Sequence, residues 1–65
     1  KDTNEPYYTG LLYGQIGEVY YEQMNYSRAY HYFREARNNF RQSDNVREET
    51  ESTLDMAAAA FIRKT

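Results

Sequence analysis

The sequence predicts an all-α fold: an antiparallel helix hairpin followed by a third helix. Three observations lead there. Apolar and small residues recur every three or four positions along most of the 65 residues. Alternation of the β type never persists, and no Asn-Gly or Asp-Gly hairpin turn occurs. Turn signals fall at two places, Met24-Asn25 and the stretch Gln-Ser-Asp-Asn at 42–45, which divides the chain into three segments.

The first helix is predicted over about residues 5–24. Asn4 or Thr3 can cap its free amides, and Pro6 fits the first turn, where its missing N–H would be unpaired anyway. Leu12, Ile16, Val19 and Tyr20 then share a face. The second helix, about 27–41, carries Ala29, Phe33, Ala36 and Phe40 at steps of four, three and four, a seam that keeps one side against a neighbour. The third, about 45–64, starts at Asp44 or Asn45, with Glu48 in capping-box position relative to Asn45. Val46, Thr50, Leu54, Ala57 and Phe61 continue an apolar stripe along it.

Only two or three residues join the first two helices, which forces them antiparallel. That gives Gly17 a reason. A glycine inside a helix costs about 1 kcal/mol relative to alanine, and close approach to Ala29 or Ala36 would offset it, with Tyr13, Tyr20 and Phe33 filling the spaces above and below. On this reading Gly17→Ala is mild and Gly17→Leu overpacks. Gly10, Gly14 and Gly17, spaced by four and three, mark a close-packing helix face rather than a phosphate loop.

Composition narrows the function classes. A chain this short buries only about 60% of its unfolded surface, and with no cysteine it has no disulfide to make up the shortfall. One histidine and no cysteine exclude an ordinary structural zinc site. The net charge of −2, with both signs mixed, gives no general attraction to nucleic acid or anionic membrane. No apolar run is long enough to span a bilayer. Eight tyrosines against three phenylalanines and no tryptophan suit half-buried surfaces in a thin, layered assembly. The chain starts at Lys1, and the expectation is a piece cut from a longer protein, whose compartment the piece does not reveal.

Chemistry-bearing residues are few. His31 sits between Tyr30 and Tyr32 on a helix, with no nucleophile or carboxylate patterned to meet it. Glu18 and Glu22, four apart, either line a groove as an acidic patch or form a solvated face. Arg34, Arg37 and Arg41 make a basic stripe interleaved with Tyr30 and Phe33, read as a solvated face with local ion pairs rather than an RNA surface. No catalytic, metal or cofactor site is expected, and no enzyme.

A repeat pattern sharpens the expectation. Tyr13-x-x-Ile16-Gly17-x-x-Tyr20, then Ala29-x-x-x-Phe33 and Ala36, resembles the tetratricopeptide repeat. The stretch Met24 to Phe33 is similar to that family's Gly-Asp-Tyr-x-x-Ala turn, with Met24 and Asn25 substituted; the closing proline is replaced by Arg41. Leu54-x-x-Ala57-Ala58-x-x-Phe61 repeats the first pattern 41 residues on. The family period is about 34; seven extra residues are nearly two helical turns and shift a face by only about 20°. The chain thus resembles a long-helix variety of about one and a half repeats.

That resemblance implies stacked hairpins and a protein- or peptide-binding role, as scaffold or adaptor. Carried over by position, the concave face would hold Leu11, Gly14, Glu18, Tyr21 and Glu22, then Ser52, Asp55, Ala59, Ile62 and Arg63. Some family members clamp acidic C-terminal tails with lysine and asparagine; Gly14 and Glu18 stand at those positions, so that ligand class does not fit. The alternative is a repeat segment of a bacterial sensor or transcription regulator that receives a peptide or couples domains. A purely structural scaffold would only stack and self-associate, as the isolated fragment itself is expected to do. Without the resemblance, the same helices read as a closed three-helix bundle with a tyrosine-rich core.

Overall fold

A computed structural model describes residues 4–64. It contains three helices: α1 (Asn4–Glu22), α2 (Tyr26–Gln42) and α3 (Val46–Lys64), with no strand among the described residues. The all-α hairpin with a third helix is what the sequence predicts. Thr3, one of the two proposed caps, lies outside the described residues, as does the side chain of Asn4.

The two connections are copies of one another, twenty residues apart. In the first, the Met24 N–H donates to the Tyr21 carbonyl at 3.0 Å and the Asn25 N–H to the Tyr20 carbonyl at 2.9 Å. In the second, Asp44 donates to Arg41 at 3.2 Å and Asn45 to Phe40 at 2.9 Å. This paired pattern satisfies the last carbonyls of a helix and needs a left-handed residue at its centre, normally glycine. Here Met24 (φ 65°) and Asp44 (φ 63°) occupy it. In each turn the next residue, an asparagine, starts the following helix: the Asn25 and Asn45 carbonyls accept from Ala29 and Glu49. The Asn25 side chain also accepts from the Arg28 N–H at 3.4 Å. Asn45 differs: its amide points backwards and donates to Ser43 Oγ at 2.8 Å, so the capping role proposed for it is carried by its backbone carbonyl.

Helix α2 packs against both α1 and α3, which barely meet each other. Against α1 the seam is built from glycines under rings. A Cβ placed on Gly17 would lie 2.7 Å from Phe33 Cδ1, and one on Gly10 would lie 2.8 Å from Phe40 Cε1. Each pair is seven residues apart on its own helix, which sets the antiparallel register. The atoms nearest Gly17 across the seam are therefore those of the Phe33 ring, ahead of any from Ala29 or Ala36. Gly14 meets nothing within 4 Å, so the three glycines do not form one close-packing face. Tyrosines complete the joint: the Tyr20 and Tyr32 rings stack 5.6 Å apart at 9°, and Tyr13 lies 5.9 Å from Tyr32.

The stripe of α3 that meets α2 is also not the one the apolar pattern suggests. Ser52, Met56 and Ala59 are buried there, at i, i+4 and i+7. Leu54 (64% exposed) and Phe61 (72%) point away, as do Val46, Thr50, Ala57 and Ala58. On α1, Leu12 (61%), Ile16 and Val19 (53%) likewise point away from α2. Both outer helices therefore keep an uncovered apolar face; Leu12, Ile16 and Val19 do share one side of α1, but it is this outer side, and Tyr20, half-buried against Tyr32, does not belong to it.

Candidate functional site

Between α1 and α3 runs an open groove with Phe40 of α2 in its floor. Gly10, Leu11, Gly14, Gln15 and Glu18 line it from α1, and Glu48, Glu51, Ser52 and Asp55 from α3. The local reason is geometric. Gly10 and Gly17 draw α1 tight onto the phenylalanines, while Met56 and Ala59 of α3 cluster with Ala29 and Phe33 of α2, so both outer helices pack on the same buried stripe of α2. Gly14, having no side chain, leaves the α1 wall recessed at mid-groove. The free space is about 170 Å³, less than the ~300–1,000 Å³ of small-molecule sites, so it suits a side chain of a bound segment.

Of the residues proposed for a concave face, the structure brings Leu11, Gly14, Glu18, Ser52 and Asp55 together in this groove. It does not bring the others there. Tyr21 is half-buried between the Tyr26 ring (5.3 Å) and the Phe33 ring (6.4 Å), a packing position in the α1–α2 hairpin. Glu22 is exposed at the last turn of α1, outside the groove. Ala59 is fully buried in the core with Ala29, Phe33 and Met56, so it cannot touch a ligand, and Ile62 is half-buried and lines no part of the groove. The side chain of Arg63 lies outside the described residues. Ser52 is mostly buried, at 6% exposure, yet lines the groove.

Sequence reasoning missed Gly10, Gln15, Phe40, Glu48 and Glu51 as groove residues. The two glutamates were legible in principle: Glu48, Glu51 and Asp55 step by three and four along α3 and so share a side. Glu48 reads instead as a capping residue when only the local turn is considered.

The groove is acidic. Glu18, Glu48, Glu51 and Asp55 line it with no cationic residue among the lining groups. The Asp55 carboxyl is pushed above its ordinary value, chiefly by burial and then by the charges of Glu18 and Glu51. Elsewhere, Arg41 Nε donates to Glu49 Oε2 at 2.9 Å, tying α2 to α3, the Arg28 guanidinium lies 5.7 Å from the Tyr20 ring centre, and the buried Arg37 Nε has no hydrogen-bond partner among the described residues. Arg34 is exposed, and Arg37 donates to Asn38 at 3.2 Å. The basic stripe thus lies away from the groove. His31 is exposed and edge-on to Tyr32 at 5.1 Å. Among the described residues no group of three or more histidines or carboxylates is placed to hold a metal ion, and no helix is long and apolar enough to cross a membrane.

Compared with protein-family models, curated proteins and solved structures, the chain finds no significant match.

Proposed function

We propose that the chain is a tetratricopeptide-like repeat segment that binds a protein or peptide in the groove between α1 and α3. The observation that carries this reading is the groove itself: two helices flank a third without closing on each other, leaving a recessed channel at Gly14. A closed three-helix bundle would bring α1 and α3 into contact and bury Leu12, Val19, Leu54 and Phe61. Here all four are exposed.

Three further features support the repeat. Gly17 lies under Phe33, a small residue against a large one at the positions that carry the resemblance. Met24 adopts the left-handed conformation at the turn position where the family has glycine. The apolar faces left uncovered on α1 and α3 are those that neighbouring units of a stacked array would cover.

The test is a selection from a random peptide display library against the chain, repeated with Gly14→Trp. A Cβ at Gly14 meets nothing within 4 Å and Gly14 lines the groove, so an indole there is expected to fill the channel with little effect on the hairpin. Selected peptides that bind the native chain and not the variant, with both chains melting alike, would support the reading. Peptides indifferent to the block would place binding elsewhere.

A further inference from the structure

We propose that the groove accepts an arginine side chain of its partner, so that the ligand is a basic peptide segment. This rests on the peptide-binding reading above and specifies its chemistry.

The first observation is charge without compensation. Glu18 reaches in from α1, and Glu48, Glu51 and Asp55 from α3. Among the described residues, Glu18, Glu48 and Asp55 have no ion-pair partner; Glu51 reaches only Arg47, at 3.9 Å, with both side chains largely in solvent. The charges of Glu18 and Glu51 disfavour the Asp55 carboxylate, and a cation from outside would relieve that. The second, independent observation is Ser52. It is 94% buried by its 6% exposure, it lines the groove, and no described residue hydrogen-bonds its hydroxyl. Its neighbours on the same helix do otherwise: the Thr50 and Thr53 hydroxyls each donate at 2.9 Å to the carbonyl one turn back. The Ser52 hydroxyl is therefore open to a donor from a ligand in the groove.

Size and shape select among cations. The free space of about 170 Å³ holds one long side chain. The carboxylates are not grouped to coordinate a metal ion among the described residues. Arginine fits better than lysine on two counts. Its planar fork offers five donors, enough for carboxylates on both walls and the Ser52 oxygen at once. Its flat, weakly hydrated face also suits the aromatic floor at Phe40. Nucleic acid and anionic lipid would meet like charge in this channel.

The experiment uses the display selection described above, then titrates one selected peptide into the native chain, Glu18→Gln, Asp55→Asn and the double variant. Arginine should be enriched in peptides whose binding the Gly14→Trp block abolishes. Affinity should fall at least about tenfold in the double variant and weaken as sodium chloride rises from 50 to 300 mM, as charge pairing requires. The salt series on the native chain remains decisive even if a variant folds poorly. Neutral or acidic peptides that bind, are blocked by Gly14→Trp and ignore both charge changes and salt would overturn the arginine assignment while leaving a peptide groove. Lysine peptides binding as tightly as arginine peptides would also overturn it. No block-sensitive peptide of any composition would overturn both readings.

Discussion

The Phe33 ring rests directly on the backbone of Gly17, so closely that a Cβ there would lie 2.7 Å from two of its ring carbons. Phe33 is 3% exposed. Gly10 stands in the same relation to Phe40. Sequence reasoning makes Gly17→Ala mild. Contact at this distance instead makes it an overpacking change.

Gly17→Ala and Gly10→Ala are therefore expected to destabilise the chain by about 1–2 kcal/mol each, the overpacking cost exceeding the gain in helix propensity. Gly14→Ala meets open space and should stabilise it by about 0.5–1 kcal/mol. Chemical denaturation of the three variants checks this. Equal effects at all three positions would contradict the seam described here.

The turns offer an independent check. Met24 holds a left-handed conformation that is unfavourable for a side chain with a Cβ. Met24 is also exposed, so it gives up little packing on removal. Met24→Gly should raise stability by about 0.5–1 kcal/mol. Asp44→Gly should gain less, because aspartate tolerates that conformation better. Thermal melts would register the first as a rise of a few degrees, about 4–8 °C per kcal/mol for a domain of this size.

Much of this architecture is legible in the sequence, and the illegible part has a physical cause. Helix type and number follow from periodicity, and both turns follow from Met24-Asn25 and the polar residues at 42–45. The second helix is the clearest, because Ala29, Phe33, Ala36 and Phe40 are buried and nothing else on it is. On α1 and α3, apolar residues occupy two faces, and periodicity alone cannot say which one meets α2. Leu12 and Leu54 are more hydrophobic than Gly10 and Ser52, yet they lie outside. A glycine seam contributes by what it lacks, which a hydrophobicity pattern cannot register. The groove suffered similarly: Glu18 and Asp55 were legible, but pairing them with Glu48 and Glu51 required knowing that α3 turns this side toward α1.

Asp55 gives a pH prediction. Its folded pKa lies above the ordinary 3.8, so around and above that value the folded state holds the proton longer than the unfolded chain. Stability contributed by this group is therefore greatest on the acid side and falls as pH rises through the raised value. Asp55→Asn removes the penalty. The variant should melt above the native chain at pH 7, with the difference vanishing below about pH 3.8. A difference independent of pH would assign the effect to something other than this titration.

The uncovered faces predict self-association. Leu12 and Val19 on α1, and Leu54 and Phe61 on α3, expose more apolar surface than scattered single residues would. Sedimentation of the 65-residue chain at several concentrations should show a dimer or larger species, with a melting temperature that falls on dilution. Phe61→Glu should reduce the association while changing the dilute-solution melt by less than about 0.5 kcal/mol, as for an exposed site.

The open arrangement of the three helices underlies the groove, the free faces and the proposed ligand alike. Nuclear Overhauser contacts within one chain, measured at high dilution on an isotope-labelled sample, test it most directly. Contacts from the Phe33 ring to Gly17 and from the Phe40 ring to Gly10 are predicted, with none joining Leu12 or Val19 to Leu54 or Phe61. Strong contacts between those α1 and α3 side chains within a single molecule would instead describe a closed bundle, and would contradict the account.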